Sequence, residues 1–351
     1  VELGAGVSWQ GIITLIIGMG TITSSLLAVR LVERLGVFRT IIGSVALTAL
    51  ALVGFSTVGS FWQICLWATP YGLGAGAIDA ALNTYVSIHY AARHMSWLHC
   101  MWGVGASAGP LVMAACLARG TWHLGFLAIG IIQFVIVGLI APSRRLWAKA
   151  AAHASEDGES LPPSSRRQLL RLPGVREVFV CFFCYCALES SCGMWAASYC
   201  TLARGISASE AAGWASLFYL GITAGRAASG FLTLRFDDKA MIRLGQALVT
   251  AGIVLVLLPV GNATLPVGLV MIGCGCAPIY PSIIHATPAR FGEQNALSIT
   301  GMQMAFAYVG SVMAPIFGLV AEFVSIGLYP FYLAAILILM VVMAERANRI
   351  V

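Results

Sequence analysis

Eleven apolar stretches, each about 20 residues long, constrain the fold of this chain more than any other feature. A helix that crosses the hydrocarbon core of a bilayer needs about 20 apolar residues. Unbroken apolar runs of this length exclude a β-barrel, whose strands alternate apolar and polar residues. We therefore predict an all-α polytopic membrane protein. The stretches are residues 10–31, 40–60, 63–88, 96–117, 122–141, 176–200, 208–234, 240–260, 264–286, 295–319 and 325–345.

The polar part of the chain is too small for an ordinary soluble enzyme. Only 10% of the 351 residues are charged, against about 25% in a typical soluble domain. The loops contain no G-x-x-x-x-G-K-[ST] nucleotide-binding motif and no nucleophile elbow. All ten cysteines lie in the apolar stretches, where no histidine or acid completes a zinc-binding set. We expect no enzymatic activity, no cofactor and no metal.

The distribution of positive charge predicts the orientation of the chain. All Lys and Arg residues except Arg119, Arg204 and Arg226 fall on one set of loops and helix ends. The positive-inside rule then places the long polar segment 142–175 and the C-terminus in the cytoplasm, with the chain in the plasma membrane. This bias accounts for the net charge of +6, so nucleic acid is not an expected partner.

The two sides of the polar segment resemble each other at an offset of about 200 residues. The run Gly105–Pro110 matches Gly310–Pro315, and Gly74-Ala75-Gly76 matches Gly273-Cys274-Gly275. Internal repeats of this kind are common in transporters. The repeat leaves the stretch 176–200 without a partner, which predicts that a first helix preceding residue 1 is missing from a six-plus-six arrangement.

The predicted organisation therefore has three parts. Residues 1–141 form an N-terminal helical half that holds helices two to six of the full set. Residues 142–175 form a cytoplasmic linker of flexible composition. Residues 176–351 form a C-terminal half with helices seven to twelve, so that eleven of twelve helices are present.

The loop after the first stretch carries a resemblance to the major facilitator superfamily. That family marks its second-to-third helix turn with G-x-L-a-D-R-x-G-x-x-[RK], and residues 29–39 here read V-R-L-V-E-R-L-G-V-F-R. The run G-F-L-T-L-R at residues 230–235 resembles a second copy. The resemblance implies two pseudo-symmetric helical halves that alternate between inward and outward states. It also implies a gating role for five loop residues: Glu33, Arg34, Gly36, Arg39 and Arg235.

Within that superfamily, the third stretch resembles the fucose:proton symporter branch. The branch carries G-L-G followed by [ED]-x-x-x-N on its fourth helix, and here Gly72-Leu73-Gly74 is followed by Asp79 and Asn83. On the next helix the branch has Gln and Asn as polar sugar contacts, and this chain has His99 and Trp102 at those positions. The resemblance implies proton-coupled uptake of a small polar solute.

Ionisable side chains at membrane depth are candidate functional residues because burying them there is costly. Asp79 and Glu189 are our candidates for proton coupling, with the alternative that each makes a structural hydrogen bond or ion pair. Arg226 is a candidate for binding a carboxylate or a hydroxyl-rich substrate, or for neutralising Asp79 or Glu189. The full set of substrate-binding candidates is Asn83, His99, Trp102, Tyr219, Arg226, Tyr280 and Gln303.

These features predict a secondary active transporter, with proton-coupled symport of a sugar or similar small polar solute as the leading hypothesis. Its partners would be protons, a small-molecule substrate and the lipid bilayer, and we expect it to act as a monomer. Proton-antiport efflux of amphipathic compounds is one alternative, and a non-transporting membrane receptor or scaffold is another.

Overall fold

The computed structural model describes residues 10–145, 147, 166–258 and 261–350. Within these ranges the chain is helical and contains no strand. Most of the predicted linker lies outside the described residues. The long helices are α1 (Gln10–Leu35), α2 (Val37–Phe55), α3 (Phe61–His89), α4 (Ala92–Leu117), α5 (Trp122–Ile140), α6 (Val175–Leu202), α7 (Ala208–Leu232), α8 (Asp238–Leu257), α9 (Thr264–His285), α10 (Glu293–Ser311), α11 (Met313–Val320) and α12 (Tyr329–Ile350).

Each predicted apolar stretch overlaps one of these helices. The tenth stretch is divided at Val312 into α10 and α11, and α11 continues through a π-helical turn at Ala321–Ser325. Eight helical stretches in the described part of the chain are long and apolar enough to cross a membrane. The prediction of an all-α polytopic membrane protein is confirmed.

The helices group into two compact units. The first contains the described residues up to Tyr85, those from Gly105 to the linker, and Glu293–Ala305. The second contains Val86–Val104, the described residues from the linker to Gly292, and those from Phe306 onward. Helices α3, α4 and α10 are therefore each divided between the two units, and α4 contributes its first half to the second unit.

In the first unit, glycines on α3 let two other helices approach closely. A Cβ atom on Gly72 would overlap the carbonyl oxygen of Ile17 on α1. A Cβ atom on Gly74 would lie 2.8 Å from the carbonyl oxygen of Ser44 and 2.6 Å from Cγ2 of Thr48, both on α2. Small residues at such crossings bring helix backbones into contact, which is typical of membrane helices.

The second unit repeats this packing on α9. A Cβ atom on Gly273 would overlap the carbonyl oxygen of Phe218 on α7. A Cβ atom on Gly275 would lie 2.6 Å from both the carbonyl oxygen of Gly245 and the backbone nitrogen of Val249 on α8. In both units, an added Cβ atom would therefore meet a backbone carbonyl oxygen of the facing helix.

The packing corrects the register of the internal repeat. Gly72 corresponds to Gly273, and Gly74 corresponds to Gly275, each 201 positions later. The pairing of Gly74–Gly76 with Gly273–Gly275 is wrong by two residues. Glycine recurs at every second position from Gly72 to Gly76, so a comparison of letters can shift by two, whereas the facing helix identifies each glycine.

Candidate functional site

Arg226 on α7 is the centre of a polar cluster in the second unit. Its side chain is only 3% exposed. One terminal nitrogen donates to the backbone carbonyl oxygen of His99 at 3.3 Å, and the other donates to the hydroxyl of Tyr185 at 3.4 Å. The guanidinium carbon lies 4.8 Å from the ring centroid of Trp102, which is within the range of a cation–π interaction.

Tyr185 connects Arg226 to Glu189 on α6. The Tyr185 hydroxyl lies beside the Glu189 carboxylate and interacts with it electrostatically. Since a guanidinium can only donate, the hydroxyl accepts from Arg226, which leaves its own O–H free to donate toward the carboxylate. The Glu189 carboxylate also lies within electrostatic range of Arg226. The described residues thus place a hydroxyl between a buried cation and a carboxylate.

Aromatic rings on α4, α6 and α9 surround these groups. The ring centroid of Tyr280 lies 4.5 Å from that of His99, 4.7 Å from that of Phe182 and 5.7 Å from that of Tyr185. Trp102 is half-exposed. The cluster therefore combines hydrogen-bonding groups with apolar ring surface, a combination that is typical of small-molecule sites.

Tyr219 on α7 packs against α6 in the second unit. A Cβ atom on Gly193 would overlap the Tyr219 hydroxyl, so the glycine provides the space that this hydroxyl occupies. The Tyr219 side chain is 45% exposed. Tyr219 also lies within electrostatic range of Glu189.

The other candidates belong to the first unit. Ser25 on α1 donates its hydroxyl proton to the carbonyl oxygen of Gly76 on α3 at 3.0 Å. A Cβ atom on Gly301 of α10 would overlap the carbonyl oxygen of the same Ser25. Three helices therefore meet at Ser25, with Asp79 one turn beyond Gly76 and the fully buried Gln303 two residues beyond Gly301.

Asn83 is oriented by its own helix. Its side-chain amide donates to the backbone carbonyl oxygen of Asp79 at 2.9 Å, and it is 3% exposed. This bond lies between positions i and i+4, so it holds the amide against the α3 backbone one turn after the acid. Asp79 itself is half-buried.

The candidates of the two units occupy matching positions in the repeat. In the register set by the glycines, Asp79 corresponds to Tyr280 and Ser25 corresponds to Arg226. The repeat thus places a polar residue at each of these positions but changes its chemistry between the two units.

The structure brings His99, Trp102, Glu189, Arg226 and Tyr280 into one cluster, and it adds Tyr185. Tyr185 is not among the site residues predicted from the sequence. Its spacing from Glu189 by one helical turn, which puts both side chains on the same helix face, is the feature that could have identified it.

Comparison with known proteins identifies the family. The sequence profile of the Major Facilitator Superfamily matches residues 1–315. The chain belongs to this superfamily. An uncharacterised transporter of Sinorhizobium fredii, y4wD, is 27% identical over 358 residues that cover 95% of this chain and 87% of the relative.

Solved structures of this superfamily have the same fold. The Escherichia coli fucose:proton symporter FucP superposes with a TM-score of 0.74 at 14% identity, covering 97% of this chain and 91% of FucP. The proton:xylose symporter XylE superposes with a TM-score of 0.71 at 13% identity, covering 98% of this chain and 87% of XylE. The major facilitator fold predicted from the sequence is confirmed.

The loop that carries the superfamily-like motif joins α1 and α2. Gly36 immediately precedes α2, with φ +81° and ψ +157°, a conformation that residues with a side chain rarely adopt. The charged residues of this loop, Glu33, Arg34 and Arg39, are exposed, and so is Arg235 after α7. The glycine is therefore required by the turn, and the gating role of the charged residues remains a prediction.

A second set of polar contacts, which the sequence did not predict, lies where α8 begins and α9 ends. Asp238 and His285 pair at 2.7 Å, and His285 is also hydrogen-bonded to the backbone of Tyr90. Arg290 donates to Asn348 at 2.7 Å, and burial lowers the pKa of its guanidinium. These contacts connect helix ends that are far apart in sequence.

The cysteines form no metal-binding cluster within the described residues. In the described part of the chain, no three or more His, Cys, Asp or Glu side chains lie together so that they could hold a metal ion.

Proposed function

We propose that this chain is a proton-coupled symporter that moves a sugar or similar small polar solute by alternating access. The chain belongs to a superfamily of transporters, not of enzymes. The observation that carries the proposal is the arrangement of the buried Arg226 and Tyr185 beside Glu189. Ionisable groups within membrane-spanning helices mark substrate or proton pathways because their burial is otherwise unfavourable. The names of FucP and XylE, both proton symporters of sugars, support the same proposal.

In this proposal Asp79 and Glu189 take up and release the coupling proton. The substrate-binding groups are Asn83, His99, Trp102, Tyr219, Arg226, Tyr280 and Gln303. The long linker and the C-terminus lie in the cytoplasm, the protein resides in the plasma membrane, and one chain is the working unit. The loop residues Glu33, Arg34, Arg39 and Arg235 contribute to gating by changing their charge contacts between the two transport states.

The test is transport by the purified protein in liposomes. Asp79→Asn should reduce uptake driven by a pH gradient to background while leaving substrate exchange intact, because exchange requires no net release of the proton. Asp237→Asn is the matched control, because Asp237 is exposed and caps α8 by accepting from the backbone nitrogen of Ala240, a role that asparagine also fills. Gradient-driven uptake by Asp79→Asn at the rate of the control would contradict the coupling role.

Efflux by proton antiport is the second candidate function. The exposed ring surfaces of Trp102 and Tyr219 would suit an amphipathic compound better than a sugar. The same liposomes distinguish the two functions, because a symporter concentrates its substrate on the side toward which protons flow and an antiporter depletes it there. A receptor or scaffold would show neither movement.

A further inference from the structure

The side chain of Arg226 is buried, yet both groups that accept its hydrogen bonds are uncharged. Its terminal nitrogens donate to a backbone carbonyl and a tyrosine hydroxyl. Its Nε atom is buried and has no hydrogen-bond partner. In the described part of the chain, no ion pair joins Arg226 to a carboxylate. A buried donor without a partner is uncommon in native structures and calls for an explanation, such as a functional role or a bound ion or water.

We propose that Arg226 binds the carboxylate group of a small hydroxylated organic acid, so that the substrate class is anionic. This inference rests on the proposed function and specifies the substrate of the same site. A planar guanidinium matches a carboxylate by donating two parallel hydrogen bonds, and the unpaired Nε is one of the donors that such a bond uses. A neutral sugar could accept hydrogen bonds from Arg226 but would bring no negative charge to it.

The charges around Arg226 favour this assignment. Glu189 is the carboxylate that lies within electrostatic range, and it is reached through the Tyr185 hydroxyl. When Glu189 takes up a proton, Arg226 loses the negative charge that balances its own, and a substrate carboxylate restores that balance. The titratable groups that surround Glu189 and Arg226 are Tyr185, Cys186, Cys192, Tyr219, Cys276, Tyr280 and His99.

The rings of the cluster define the rest of the ligand. Trp102 lies over the guanidinium and is 51% exposed, so an apolar ring or carbon-chain face can pack against it. A tyrosine hydroxyl can both donate and accept a hydrogen bond, so Tyr219 and Tyr280 have the chemistry to bind ligand hydroxyl groups. A sugar acid combines a carboxylate, hydroxyls and an apolar ring face in one small molecule.

The experiment is thermal stabilisation of the full chain, purified in detergent, by matched pairs of acids and neutral analogues. The probes are glucuronate with glucuronamide, galacturonate with galactose, and lactate with lactamide. At least one acid should raise the apparent Tm while its neutral partner does not. Arg226→Gln should weaken that binding by about 10- to 100-fold, the range expected for a hydrogen bond between charged groups.

Arg204→Gln is the control for loss of an arginine elsewhere. Arg204 donates to the backbone carbonyls of Val256 and Gly261, and its removal should leave acid binding unchanged. Arg226→Lys keeps the charge but not the planar fork, so it should bind the acid between wild type and Arg226→Gln. This variant and the wild-type acid–amide comparison test the proposal even where Arg226→Gln fails to fold.

The inference is refuted where no acid of the panel stabilises the wild type, where the neutral partners stabilise equally, or where Arg226→Gln binds as tightly as wild type. If a pH gradient drives uptake of a neutral sugar while none of the acids binds, the inference is refuted and the proposed function stays intact. Acid binding that depends on Arg226, without any response of transport to a pH gradient, would support the inference and refute the coupling.

Discussion

The crossing of α8 and α9 at Gly275 provides a sharp test of the packing. An added Cβ atom would lie 2.6 Å from the carbonyl oxygen of Gly245 and 2.6 Å from the backbone nitrogen of Val249. Both atoms belong to a helix backbone and cannot rotate away, so the helices would have to separate by about 0.8 Å. Overpacking of this kind costs about 1–3 kcal/mol, against about 1 kcal/mol gained from the higher helix propensity of alanine.

Gly275→Ala should therefore lower the free energy of unfolding by up to about 2 kcal/mol. The expected decrease in apparent Tm of the purified protein is up to about 4 °C. Gly213→Ala is the matched control, because Gly213 is also helical and an added Cβ would meet nothing within 4 Å. Gly74→Ala, the equivalent change in the first unit, should have a smaller effect, because its nearest contact is a side-chain methyl of Thr48.

Equal stability of Gly275→Ala and Gly213→Ala would contradict this prediction. That outcome would mean that the two helices separate at no measurable cost. It would remove the physical basis for using glycine contacts to set the register of the repeat.

Two further predictions concern the polar cluster and the first loop. Tyr185→Phe should slow gradient-driven uptake by about 10-fold or more, because it removes the hydroxyl between Arg226 and Glu189. Tyr199→Phe is the control on the same helix, where the ring packs on Tyr329, and it should transport normally. Equal initial rates of the two variants would contradict the role of the Tyr185 hydroxyl. Gly36→Ala should cost about 1–3 kcal/mol of stability, because φ is +81° at this position. Gly43→Ala in the adjacent helix is the control and should cause no such loss, because an added Cβ meets nothing within 4 Å. A Tm of Gly36→Ala equal to that of Gly43→Ala would show that the loop relaxes without strain.

The positions of the helices could be predicted from the sequence because they depend on local hydropathy. A run of about 20 apolar residues is recognisable without knowing its neighbours. The loop at Gly36 could also be anticipated, since a glycine flanked by charged residues interrupts two such runs. The division of the tenth stretch at Val312 was not predicted, because no charged residue interrupts the stretch there.

The individual candidate residues could be predicted for a similar reason. An arginine or acid within an apolar stretch stands out by type alone, and Asp79, Glu189 and Arg226 were all identified in this way. Tyr185 was not identified, because a tyrosine in an apolar helix is as suitable for packing as for hydrogen bonding. Only its position between Arg226 and Glu189 gives it a role.

The sequence by itself determined the fold class, the helix positions and which helices carry buried polar residues, since each depends on residue types along one segment. Only the tertiary structure decided that His99, Tyr185, Arg226 and Tyr280 meet, and that Gly72 and Gly74 match Gly273 and Gly275. These facts depend on which helix faces each residue. Contacts between helices arise from close packing of surfaces that are distant along the chain, and no local pattern of residues contains that information.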